Sequence, residues 1–90
     1  MSLTQAERNA IIEAALNKTK DEFAAEVASR TKLTQDEVLK LAKTKEERET
    51  LAQTLAEVSK ATTSNTARAN AIRNIAGGVE ALVKIMDLVL

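Results

Sequence analysis

Carboxylates are the residues of this sequence that could first be suspected of chemistry. Asp36 and Glu37 are adjacent, and the run KEERE (Lys45 to Glu49) sets further carboxylates among cations. Paired carboxylates can do general acid–base work, or hold a divalent cation, when a pocket fixes their separation. The supporting cast is missing. The chain has no His, Cys, Tyr or Trp. That removes the usual base near neutral pH, thiol chemistry, disulfides and the common zinc sites. Gly77-Gly78 is not followed by Lys and Ser/Thr, so it is no phosphate loop. A chain of 90 residues has little material for a pocket. KEERE reads as a solvated helix face braced by i,i+4 pairs such as Lys45 with Glu49. Asp36-Glu37 has no further ligands beside it in sequence. The expectation is a protein that is not an enzyme, with no catalytic residue, metal or cofactor.

Composition narrows the class. Hydrophobic residues make up 44% of the chain, but 16 residues are alanine and Phe23 is the one aromatic. Little large apolar surface is left for a core, and small domains are marginal to begin with. Self-association is therefore expected to supply burial. Thirteen basic and thirteen acidic residues cancel, which removes the general attraction to phosphate that most nucleic-acid binders use. No N-terminal run resembles a signal peptide. The C-terminal VEALVKIMDLVL is too short and too charged to span a bilayer. A soluble, cytoplasmic protein without membrane contact is the expectation.

The elements that would position these residues are helices. No segment alternates with period two, proline is absent, and strong helix formers dominate. Five helices are predicted: about Thr4 to Asn17, Lys20 to Thr31, Gln35 to Lys43, Lys45 to Lys60, and Ala67 to the C-terminus. Thr4/Glu7, Thr19/Glu22, Thr34/Glu37 and Thr44/Glu47 have the spacing of capping boxes, in which the Thr hydroxyl and the Glu carboxylate each satisfy an orphan N–H. Thr54/Glu57 has the same spacing but sits inside an apolar periodicity, so it reads as mid-helix. The threonines at 4, 19 and 34 are evenly spaced, yet the residues between them match poorly, so this is no repeat.

The last helix carries the strongest pattern. Ile72, Ile75, Val79, Leu82, Met86 and Val89 are spaced 3, 4, 3, 4, 3, a heptad seam. Ala76, Val83 and Leu90 widen it. Gly77-Gly78 interrupts it, and two glycines cost roughly 1–2 kcal/mol of helix stability relative to alanine. The helix is read as continuous or gently kinked there, with close approach of another backbone as the other option. The seam is expected to be an oligomer interface. NTARANAIRN (Asn65 to Asn74) adds Arg68 and Arg73 among asparagines, a mildly basic face read as solvated.

One stretch has a second outline. VASRTKLTQDEVLKLA (Val27 to Ala42) places Val27-Ala28, then Leu33 as an apolar plug, then Thr34-Gln35 opening a helix with Val38 and Leu41 inside. These residues resemble the helix-turn-helix of repressor-type DNA-binding domains. They are also similar to the N-terminal helical hairpin of histone-like bacterial architectural proteins, where Thr31 and Leu33 have counterparts. The resemblance implies DNA contact through Gln35, Lys40 and Lys43. The sequence departs from both patterns. Lys32 stands where glycine is usual and would need a left-handed conformation. Asp36 and Leu39 would face the bases. Nothing after Lys43 could supply the histone-like strands. Seven nearby cations (Lys18, Lys20, Arg30, Lys32, Lys40, Lys43, Lys45) meet five acids (Asp21, Glu22, Glu26, Asp36, Glu37), an excess of two.

The sequence thus predicts an all-α fold, a compact bundle of four short helices plus a longer C-terminal amphipathic helix. Residues 1–60 form the four-helix region with the corner at 27–42, 61–66 a polar connector, and 67–90 the oligomerisation helix, all in one domain. The expected function is helix-to-helix interaction, with homo-oligomerisation through the last helix and an unidentified protein partner. A small dimeric DNA-binding regulator is the alternative.

Overall fold

The computed structural model describes residues 3–60 and 64–89, with side chains as far as Ile85. The side chains of Met86 and Val89, residues 61–63 of the expected connector, and Leu90 lie outside that description. Six helices make up the described chain: α1 Gln5–Asn17, α2 Lys20–Arg30, α3 Gln35–Leu41, α4 Lys45–Val58, α5 Asn65–Arg73 and α6 Gly78–Val89. The described residues contain no strand.

The first four helices start where the threonines dictate. Thr4, Thr19, Thr34 and Thr44 are extended N-caps, and all four capping boxes are formed. At Thr34 the Glu37 N–H donates to Oγ1 at 3.2 Å, and the Thr34 N–H donates to Glu37 Oε1 at 2.9 Å. These bonds answer two of the orphan donors that every helix start leaves open. They also act on the carboxylates. The N–H and hydroxyl of Thr4 hold Glu7 below the usual carboxylate value, and those of Thr19 do the same for Glu22. Thr54 lies mid-helix as expected, buried, with its hydroxyl donating to the Thr50 carbonyl at 2.8 Å. Ser64 caps α5 without an acidic partner, accepting the Ala67 N–H at 3.2 Å.

Short connections force neighbours together, so α2 packs on α1 and α3, while α1 makes its broadest contact with α4. The core gathers Ile11 from α1, Phe23 and Val27 from α2, Val38 from α3, Leu51 and Leu55 from α4, and Ile85 from α6. Ala14, Ala24 and Ala52 are fully buried between them, and small side chains at helix contacts let the axes approach. Leu33 plugs the α2–α3 corner at 2% exposure. Leu3 closes the other end: it is buried, its N–H donates to the Ser59 carbonyl at 3.3 Å, and its carbonyl accepts from Arg8 Nη1 at 2.6 Å. The radius of gyration is 11.8 Å, close to the roughly 12 Å of a compact chain this long. This core closes within one chain. Alanines packed between the larger side chains help to fill it.

The long last helix expected from the heptad is two helices. The chain turns between Asn74 and Gly77, and each glycine has its own reason. Gly77 has φ +74°, the left-handed region where a Cβ is strained. A Cβ on Gly78 would overlap the Ile72 carbonyl oxygen and sit 2.9 Å from Ile75 Cβ. The Thr50 hydroxyl, donating to the Ala76 carbonyl at 3.1 Å, ties the turn to α4. The option of a close backbone approach is the one realised.

Candidate interaction surface

The glycine turn sets the phase of α6. Gly78 and Ile85, seven residues apart, face inward and are buried; Ala81 and Leu82 between them are half-buried. Seven residues is about two turns, so one stripe of the helix is anchored on α4, with α3 and α5 at its edges. The apolar residues outnumber what that stripe can hold. Val79 and Val83 lie one turn apart on the outward side and are 49% and 52% exposed. They belong to a helix whose charges among the described side chains, Glu80 and Lys84, occupy only a narrow sector. In sequence, positions 86 and 90 continue the spacing of 79 and 83.

The four described residues of the expected seam are therefore not brought to one face. Ile72 is buried, Ile75 and Leu82 are half-buried, and Val79 is exposed. The turn between the helices changes the register that a continuous helix would have kept. Ile85 was missed by that register. The signal for it was the second heptad that begins at Gly78 and runs through Leu82 to Ile85.

Beside this arc lies a cleft of about 400 Å³ between the start of α4 and the start of α6. Leu41, Leu51 and Ala81 line it with apolar surface, and Glu46, Glu47, Glu80 and Lys84 supply its charges. Glu47 is committed to its cap, accepting the Thr44 N–H at 3.2 Å. Among the described residues no group of three or more acidic side chains is placed to hold a metal ion. The brace expected within KEERE is not made: Lys45 and Glu49 form no ion pair among the described residues. Arg48 instead donates from Nη1 to the Lys43 carbonyl at 3.4 Å, which draws it back over the start of the helix.

At the α2–α3 corner Val27, Leu33 and Val38 are buried and Ala28 and Leu41 half-buried, and the turn expected at Lys32 is not made. No described residue other than glycine has a positive φ, so Lys32 is not left-handed. Thr31 does the work that glycine would do. It ends α2 in an extended conformation, its hydroxyl donates to the Val27 carbonyl at 2.9 Å, and it accepts the Leu33 N–H at 3.1 Å. Gln35, Lys40 and Lys43 are all exposed, as is Asp36 between them. Arg30 is held elsewhere, by Glu26 at 2.8 Å and Glu7 at 3.8 Å. On α5, Arg68 donates to the Lys60 carbonyl at 2.5 Å and Arg73 to Asn70 at 3.3 Å. Arg68 thereby fastens the far side of the connector.

No described helix is long and apolar enough to cross a membrane. No protein-family model matches the chain, and comparison with curated proteins and with solved structures gives no match either.

Proposed function

We propose that the protein is a non-enzymatic helical interaction module that self-associates through the outward arc of α6. One observation supports this above the others. Val79 and Val83 stand half in solvent, one turn apart, on a helix whose opposite stripe is fixed in the core. Single exposed apolar residues need no explanation, but adjacent ones on an otherwise anchored helix make a patch. The α6 helix has 12 residues, about 18 Å of length. A single helix-on-helix contact of that length falls below the roughly 1,200 Å² of total buried area that marks stable interfaces. The assembly is accordingly weak and concentration-dependent.

Sedimentation velocity over a series from low micromolar to near-millimolar protein tests this reading. The expected result is a mass that rises with concentration. A monomer throughout the series would overturn it. A second reading, DNA contact at the α2–α3 corner, is favoured by the joint exposure of Gln35, Lys40 and Lys43. Its test is a gel shift at low salt with random duplex, because DNA-binding proteins show salt-sensitive affinity without their own site. No shift at high micromolar protein closes it.

A further inference from the structure

Self-association through α6 leaves open how two copies are oriented, and the flanks of the arc decide it. At about 100° per residue, Glu80 and Lys84 lie together on one side of the Val79–Val83 line. Half-buried Leu82 lies on the other side, where the helix turns toward its own core. Both charged residues are exposed, and among the described residues neither has an ion-pair partner. Two helices paired parallel bring opposite flanks together. That would press Glu80 and Lys84 of one copy onto the apolar flank of the other and desolvate them unpaired. Two helices paired antiparallel bring like flanks together, charged against charged and apolar against apolar, with the order of charges reversed.

We propose that the partner of α6 is the α6 of a second copy, packed antiparallel about a two-fold axis that passes between Ala81 and Leu82. This rests on the reading of the protein as self-associating. Val79 of one copy then lies against Val83 of the other, and Glu80 meets Lys84 twice across the axis. The valine pairing centres the axis at residue 81 and the charge pairing at residue 82. The two axis positions differ by one residue, so an axis midway leaves each pair about 1.5 Å out of step along the helix, an offset that side chains absorb. The spacing of Glu80 and Lys84 makes the surface complementary to itself, as a closed two-fold interface requires.

The chain has no cysteine, so single introduced thiols report proximity directly. Val79→Cys and Val83→Cys are prepared separately and then mixed under mild oxidation. The expected result is that the mixed disulfide forms several-fold faster than either self-linked species. Charge reversal adds a second measurement on the same footing. Glu80→Lys and Lys84→Glu alone should each raise the dimer dissociation constant roughly fivefold to tenfold at low salt. The double variant, and a one-to-one mixture of the two single variants, should recover dimerisation. Circular dichroism checks that each variant keeps its helices, which exposed positions allow. Faster self-linking of Val79→Cys and Val83→Cys in a protein that does dimerise overturns the antiparallel arrangement alone. So does dimerisation of both single charge variants at wild-type strength. A wild-type chain that never dimerises overturns the proposed function as well, which separates the two failures.

Discussion

The backbone of Gly78 lies against the carbonyl oxygen of Ile72 so closely that no Cβ fits between them. Helix propensity alone makes alanine better than glycine at a helical position by roughly 1 kcal/mol. The contact makes the opposite prediction. Gly78→Ala must push α5 from α6 and is expected to destabilise the protein by about 1–3 kcal/mol, the range of overpacking. Gly77→Ala places a Cβ at φ +74°, at a cost of about 1–2 kcal/mol. Urea denaturation of both variants measures this. A more stable Gly78→Ala protein would mean that the helix runs through the glycines.

The caps predict a graded series. Each Thr→Ala change at Thr34 or Thr44 removes the acceptor for a helix N–H and is expected to cost about 1 kcal/mol. The two sites begin different helices, and their effects should add within about 0.5 kcal/mol. Thr34 is the sharper case, because α3 has only 7 residues and helices that short depend on their ends and their packing. The measurement is the denaturation midpoint at constant slope. No loss at Thr34 would place the start of α3 elsewhere.

How far the sequence was legible follows from the reach of each signal. Thr4, Thr19, Thr34 and Thr44 act on residues three positions away, so their helices could be read locally, within a residue or two at each start. Leu33 as the corner plug was equally local, because it sits between two periodic runs. Gly77 and Gly78 act through a positive φ and a carbonyl six residues back, and both describe a turn that hydrophobic spacing does not encode. The spacing of Ile72, Ile75, Val79 and Leu82 fits one continuous helix, and that continuity hid the phase in which Ile85 is buried and Val79 is not. Thr31 replaced the expected left-handed residue by side-chain bonding, which the residue type permits but does not announce.

Acid sensitivity follows from the same caps. Glu7 Oε1 accepts the Thr4 N–H at 3.0 Å, and Glu22 Oε1 accepts the Thr19 N–H at 3.2 Å and its hydroxyl at 3.0 Å. These bonds lower both carboxyl pKa values from the usual 4.5. The folded chain therefore stays ionised at these sites to lower pH than the unfolded chain. Their stabilising contribution is complete above about pH 4.5 and is lost as pH falls through the lowered native values. The thermal midpoint should vary little through these groups from about pH 7 to about pH 5, then fall. A Glu7→Gln/Glu22→Gln variant should start lower and decline less across the acid range. An acid decline as steep as that of the wild type would remove these two groups from the account.

The phase of α6 is the premise of the proposed function, and two neighbouring residues test it without any partner. Ile85 is 3% exposed and Val83 is 52% exposed, though they are two positions apart on one helix. Ile85→Ala removes buried methyl and methylene groups and is expected to cost about 2–5 kcal/mol. Val83→Ala removes little that is buried in one chain and should stay within about 0.5 kcal/mol. Val83→Asp should likewise leave the dilute protein folded, and it should also abolish the rise of mass with concentration. Ile85→Asp should unfold the chain, since it buries a charge without a partner. Denaturation in dilute solution separates folding from association. If Val83→Ala proved as costly as Ile85→Ala there, the outward arc would belong to the core, and α6 would have no free face to offer a second copy.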